Sequence, residues 1–323
     1  MRRLLFLRGK LKGFFFLLHG HRFFSSHLFS FVGSMSALSK WIQQHKKLGH
    51  NDFYSFKFDY ARREQLFEHV IIQEGLDAAI DYLEFGVSKG DSFRWWTSRI
   101  KNPNARFYGF DTFTGLPEDW GPFKKGDMSS GDALPEIHDD RFTFYQGLFQ
   151  QTLLPFLSTF DASRKKVIHM DADLYTATLY VLTLITPYLK EGDVIFFDEF
   201  NVPQHEFKAF SEWVASFYIT YEVLGAVNNY YQVAIRNSID STCFVAYNNL
   251  TTLSAPNTAS ITNIITTNPS DCNINDGTIK IITKKDQEAQ LIERIENESE
   301  FFTPKKIVIS SDLKLRESTK TSS

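Results

Sequence analysis

At 323 residues, with 43% hydrophobic and 15% aromatic residues and a formal net charge of −3, the chain has the length and composition of a soluble α/β domain with extensions, and a fibre is excluded. It lacks the basic surplus that marks most nucleic-acid binders, so no nucleic-acid partner is expected. Its two cysteines, Cys243 and Cys272, lie beyond the regularly patterned region, which leaves no disulfide framework or paired-thiol metal site and makes a reducing, cytoplasmic setting the simpler expectation.

Residues 1–51 contain no Asp or Glu, while Arg2, Arg3, Arg8, Lys10, Lys12, Arg22, Lys40, Lys46 and Lys47 alternate with Phe and Leu clusters. The runs LLFL and FFFLL are far shorter than the roughly 20 residues that a transmembrane helix needs. Three readings of this extension stay open: a transit peptide, a membrane-surface anchor, or an inert stretch upstream of a start at Met35.

Residues 52–237 alternate strand-like apolar runs with helical patterns, the sign of βαβ units and a parallel sheet. Strands are predicted at 81–87 (DYLEFGV), 106–111 (RFYGFD), 141–147 (RFTFYQG), 166–171 (KVIHMD) and 193–198 (DVIFFD). Helices are expected after the first, third, fourth and fifth of these, in SFRWWTSRI, TLLPFLSTF, YTATLYVLTLITPYLK and EFKAFSEWVASFY. The second strand is followed instead by a long loop, Thr112 to Asp140, where a lid or substrate loop tends to sit. Asn228-Asn229 between YEVLGAV and YYQVAIR predicts a tight hairpin, because Asn tolerates positive φ, so an antiparallel pair closes the sheet. Residues 238–323 turn rich in Asn, Thr and Ser and are expected to form a poorly structured tail with one helix in KKDQEAQLIERIENESE.

The chemistry gathers at the strand ends. LEFGVSKGDS places Glu84, Gly86 and Gly90 at the turn from the first strand into a helix, where glycines let a ligand approach and free N–H groups attract an anion. The spacing E-x-G-x-x-x-G lacks the G-x-G-x-x-G order of dinucleotide binding. Glu84 would repel a pyrophosphate yet attract an ammonium group. Asp111, ending the second strand, can accept hydrogen bonds from both hydroxyls of a ribose. An adenosine with an amino-acid end describes S-adenosylmethionine.

Asp171 and Asp198 end the fourth and fifth strands and should meet in the same crevice. Carboxylates converging on strands about 4.8 Å apart repel one another unless protonated or bridged by a cation, and such oxygen ligands suit Mg²⁺, Ca²⁺ or Mn²⁺. Glu199 can join them only if the chain leaves strand geometry after Asp198. Asp173 reads first as the N-cap of the following helix, His169 as a core residue, and His205 as a loop residue able to serve as general base.

Together YLEFGVSKGDS, YGFDTFTGLPEDW, HMDADLYTAT and VIFFDEF resemble, in order, the motifs of the TylF-type macrocin O-methyltransferase family, over about residues 60–236. The resemblance implies a Rossmann-like class I methyltransferase fold: a seven-stranded, mostly parallel sheet with an antiparallel terminal strand and helices on both faces. It places Glu84, Gly86, Val87, Gly90, Ser92, Asp111, Thr112, Phe113 and Gly147 in the cofactor motifs, and Asp171, Asp198 and Glu199 at the metal positions, with Mg²⁺ the expected ion. KGDMSS and YQGLF fall on the loop over the cofactor and the adenine turn. Glu199 departs from the Asp or Asn often found at the third metal position.

The expected reaction is attack of a hydroxyl of a sugar or natural-product-like acceptor, a small molecule or glycan, on the sulfonium methyl. Besides Asp171 at the metal, His205, Asp173 and His169 are the candidate bases in that order. A nicotinamide-dependent oxidoreductase is the rival from another class, disfavoured by the glycine spacing. A non-catalytic S-adenosylmethionine-binding protein is a third reading. A homo-oligomer is compatible with the sequence.

Overall fold

The computed structural model describes residues 2–22, 25–238, 278–282, 306–311 and 314–317. By contact the chain divides into one unit of residues 1–184 with 194–236 and a second of 185–193 with 237–323.

The first unit opens with two helices, α1 (Arg2–Leu17) and α2 (Ser26–Gln44). After α3 (Ala61–Glu74) the alternation expected from the sequence follows: β1 (Asp81–Phe85), α4 (Asp91–Arg99), β2 (Arg106–Asp111), β3 (Phe142–Gln146), α5 (Phe149–Leu157), β4 (Lys166–Met170), α6 (Tyr175–Ile185), β5 (Val194–Phe197), α7 (Glu206–Phe217), β6 (Tyr221–Val227) and β7 (Gln232–Asn237). The sheet order is β3-β2-β1-β4-β5-β7-β6. Strands β3, β2, β1, β4 and β5 are parallel, and β7 runs antiparallel to β5. This is the Rossmann-like methyltransferase arrangement.

Side-chain alternation along β1 decides what faces what. Tyr82 packs with Phe67 of α3 and with Phe93 and Trp96 of α4 in one core layer, which also holds Val167 and Phe196. Glu84 shares that face, in register with His169 of β4. Phe85 lies on the other face, stacked on Phe110, which in turn stacks on Tyr145 and meets Phe156 of α5. Helices thus cover both faces of the sheet, and the parallel strands read as continuous apolar runs because neither face is wet.

The hairpin expected at Asn228-Asn229 is present in a wider form. Asn228, Asn229 and Tyr230 all take positive φ, and the turn runs to Tyr231. Asn228 and Asn229 also tie down the segment before α3. Their side chains accept from the Asp59 and Ser55 amides, while their own amides donate to the Asp52 carboxylate.

Packing carries the fold back into the basic extension. Leu38 and Trp41 of α2 are buried, Trp41 lies against Phe200, Phe207, Phe210 and Tyr230, and its indole N–H donates to the Tyr221 hydroxyl at 2.8 Å. The second unit holds a small sheet in which β8 (Thr278–Ile282) runs parallel and β10 (Lys314–Glu317) antiparallel to β9 (Lys306–Ser311). The helix expected at 284–300 lies outside the described residues.

Candidate active site and metal centre

The strand order reverses between β1 and β4, so the crevice lies beyond their carboxyl ends. The two chains nearly touch there. Gly86 sits at φ +97°, and a Cβ on it would stand 1.7 Å from the carbonyl oxygen of Asp171. Its absence of side chain is thus required by the neighbouring backbone, before any ligand is considered.

Asp111 organises the same turn. One carboxylate oxygen accepts from the amides of Val87 and Ser88, both at 2.7 Å, and the other from the amide of Phe113 at 2.7 Å. The amide of Gly147 reaches the Asp111 carbonyl. Gly86, Gly90, Asp111, Thr112 and Gly147 are therefore assembled around one strand-end turn. Gly90 ends the turn as N-cap of α4 at φ +76°, under Pro135 of the long loop, and the Thr112 hydroxyl is held by the Gly115 carbonyl.

The side chains of Val87 and Phe113 turn inward, into the core. Glu84 and Ser92 are also buried. The Glu84 carboxylate accepts from the Ser92 hydroxyl at 2.5 Å and from the Tyr82 hydroxyl at 2.6 Å. The charge expected to face an ammonium group instead pins the start of α4 to β1. Alternation explains this, since Glu84 shares the helix-covered face with Tyr82.

Beyond β4 and β5 the acids converge. Oxygens of Asp171, Asp173 and Glu199 lie within 4.8 Å of one another, a spacing that one cation can share. The chain leaves strand geometry after Phe197 and bends at Asp198 and Glu199, the condition set for Glu199 to take part. Asp198 adjoins them: its Oδ2 accepts from Arg63 Nη1 of α3 at 2.9 Å, and its Oδ1, 4.0 Å from His169 Nε2, is buried without a hydrogen-bond partner. Asp173, read from sequence as a helix cap, shares this space with Asp171 and Glu199. It sits at φ +56°, and the first α6 amide, Tyr175, donates to His205 Nδ1 at 3.4 Å instead. Glu206 of α7 is a further buried acid, accepting from the Glu199 amide at 3.0 Å.

The charges answer to this crowding. Burial, then the charge of Asp198, pushes the Asp171 carboxyl well above its usual range; burial with the charges of Asp171 and Asp198 does the same to Glu199. Burial and the charges of Asp198 and Asp111 raise Asp173 to about 7. Asp198 runs the other way: burial opposes its charge, but His169 and Arg63 hold it below the usual range. Burial alone would lower His169, yet Asp198 and Glu84 push it up to about 10. The resulting imidazolium donates from Nδ1 to the Tyr82 hydroxyl, 3.0 Å away, while Tyr82 donates to Glu84. His169 is therefore a buried charge balancing two acids, with no proton to take at neutral pH.

The residues present fit a divalent cation. Three oxygens share one small space, and Glu199 Oε2 is buried without a hydrogen-bond partner, an orphan that a cation would satisfy. Burial lowers His205, and its Nδ1 lone pair is already turned to the Tyr175 amide, so it is poorly set as a base. The long loop closes this side. Trp120 packs against Ala172, Leu174 and Ala177, and Thr176 donates to Glu118 at 2.8 Å.

Arg63 and Glu206 escaped the reading of the sequence, though a signal existed. Arg63 lies four, seven and eight residues before Phe67, Val70 and Ile71 on the buried stripe of α3, and Glu206 lies four and seven before Phe210 and Trp213 on α7. A charge on an apolar stripe implies a buried partner.

Residues 83–200 match the family model described as a methyltransferase domain. The matched span runs from β1 through Phe200 and so contains the glycine turn, Asp111 and the acid cluster. No curated protein sequence matches the chain significantly. Among solved structures it is similar to the calicheamicin methyltransferase CalS11, at 19% identity and TM-score 0.45 over 64% of this chain and 91% of that one. It is similar to the O-methyltransferase NovP at 20% identity and TM-score 0.44, over 55% and 79%. An O-methyltransferase from Bacillus cereus in complex with SAH aligns at 15% identity and TM-score 0.39, over 64% and 90%.

Proposed function

We propose that the protein transfers a methyl group from S-adenosylmethionine to a hydroxyl of a sugar or natural-product-like acceptor, at a site that also binds a divalent cation. The observation that carries this reading is the junction of the Asp111 turn with the cluster of Asp171, Asp173 and Glu199 across the switch point between β1 and β4.

The turn offers the cofactor its backbone and the Asp111 carboxylate, whose Oδ1 keeps a lone pair for one ribose hydroxyl. Glu84, held in the core, keeps α4 and the turn in place. Across the crevice, Asp171, Asp173 and Glu199 would hold the cation, and Arg63 keeps Asp198 charged beside them. A divalent cation bound there supplies positive charge that lowers the pKa of an acceptor hydroxyl. With one Asp173 oxygen on the cation, the other is the proton acceptor in this reading. The acceptor O–H proton passes to the Asp173 carboxylate as the oxygen attacks the methyl carbon. The O–CH₃ bond forms, the S–CH₃ bond breaks with its electron pair returning to sulfur, and S-adenosylhomocysteine leaves. Trp120 and the loop around it shield the site from water on the α6 side.

Calorimetry with S-adenosylhomocysteine and a labelled-methyl assay with Mg²⁺ and hydroxyl-bearing acceptors test the reading. Binding by the parent, lost in Asp111→Ala, is the expected result, with turnover abolished by chelator or by Asp171→Ala while cofactor binding persists. Undiminished turnover in chelator would refute the cation; absence of cofactor binding would refute the whole reading.

A further inference from the structure

The two N-terminal helices present a surface that the proposed active site does not use. Helix α1 is 16 residues long, roughly 24 Å at 1.5 Å per residue, and short of the ~30 Å hydrocarbon core of a bilayer. No helix among the described residues is long and apolar enough to cross a membrane. Yet Leu11, Phe14, Phe15, Phe16, Leu17 and Leu18 are all solvent-exposed. The run from Phe14 to Leu18 exceeds a full helical turn, so the end of α1 is apolar on every side and no groove contacting a single face could cover it. The first half of α2 continues the surface through Leu28, Phe29, Phe31, Val32 and Met35, each exposed. Gly20, just after α1, is buried against the Phe15 ring.

The charge of this segment points to one partner. Residues 1–51 hold nine Lys and Arg and no acid, whereas the whole chain is slightly acidic at −3. Lys10, Lys12 and Arg22 bracket the apolar run from Phe14 to Leu18. Apolar side chains flanked by long basic ones are the arrangement that enters the headgroup boundary of an anionic bilayer, acyl chains receiving the rings and lipid phosphates the ammonium and guanidinium groups. Leu38 and Trp41 fix the second half of α2 to the domain.

We propose that α1 and the first half of α2 dock the protein on the surface of an anionic lipid bilayer without spanning it. The test is flotation of the full chain with vesicles of phosphatidylcholine alone and of phosphatidylcholine mixed with phosphatidylglycerol. Binding to the mixed vesicles, weak on the neutral ones and falling as salt rises, is expected. Phe14→Asp/Phe16→Asp/Leu17→Asp removes binding while leaving the melting temperature unchanged, because these side chains are exposed. Lys12→Glu/Arg22→Glu keeps the apolar surface and weakens binding at least tenfold, which guards against a misfolded triple variant. Equal binding to both vesicle types, or retention by the triple variant, overturns the proposal. So does a concentration-dependent dimer in sedimentation velocity that the triple variant dissolves, with no vesicle binding by the parent: the surface then belongs to a second copy of the chain.

Discussion

Arg63 reaches from α3 to the end of β5 and donates to Asp198 across 2.9 Å, with Asp171 3.8 Å from the same nitrogen. Both partners of the short contact are largely buried. Burial opposes the guanidinium charge, but Asp198 and Asp171 hold its pKa well above the ordinary value. Removing it leaves Asp198 buried beside other acids. Arg63→Met should therefore destabilise the fold by about 3–5 kcal/mol in urea unfolding. The variant should also gain more than the parent from Mg²⁺ in a thermal shift, because the ion then offsets charge that Arg63 had balanced. Equal Mg²⁺ shifts in parent and variant would show that Arg63 is electrostatically separate from the cluster.

Asp173 gives the pH dependence. Its folded pKa, about 7, stands above the ordinary value of 3.8. Between those values the folded state binds a proton that the unfolded state has lost. In metal-free buffer this group's contribution to stability is therefore largest below about pH 4 and declines as pH rises toward 7. Asp173→Asn should flatten that slope in urea titrations run across the interval. In the labelled-methyl assay, Asp173→Asn should lose most of the rate, on the order of 10²–10⁴-fold. An unchanged rate would remove Asp173 as the base.

Gly86 tests the contact between the two halves of the crevice. A methyl group there would stand 1.7 Å from the Asp171 carbonyl oxygen, at a φ of +97° that other residues rarely adopt. Gly86→Ala should cost about 3 kcal/mol or more and should weaken S-adenosylhomocysteine binding and Mg²⁺ binding together, as calorimetry can show. Loss of one alone would mean that β1 and β4 strand ends move independently.

Trp41 tests whether the basic extension is part of the fold. Its ring is packed among Phe200, Phe207, Phe210 and Tyr230. Truncation by Trp41→Ala should destabilise by about 3–5 kcal/mol, while Trp41→Phe, which loses chiefly the hydrogen bond to Tyr221, should cost about 1 kcal/mol. Equal stability of all three proteins would detach α2 from the domain.

The sequence by itself determined the sheet. Parallel strands buried on both faces must be mostly apolar, and DYLEFGV, KVIHMD and DVIFFD announce themselves as such runs closed by acids or glycine. Asn228 and Asn229 likewise marked the return of the chain, because few other side chains accept left-handed backbone. Only the tertiary structure decided which acids meet. Within a strand, alternation fixes the face of each side chain, and it is what turns Glu84 into the core with Tyr82 and His169. Past the strand end no period applies. The positive φ at Asp173 and the bend at Asp198 and Glu199 bring Asp173 into the space shared with Asp171 and Glu199, beside Asp198. Asp198 pairs there with Arg63, 135 residues before it, because the strength of a buried charge pair depends on distance in space and not along the chain.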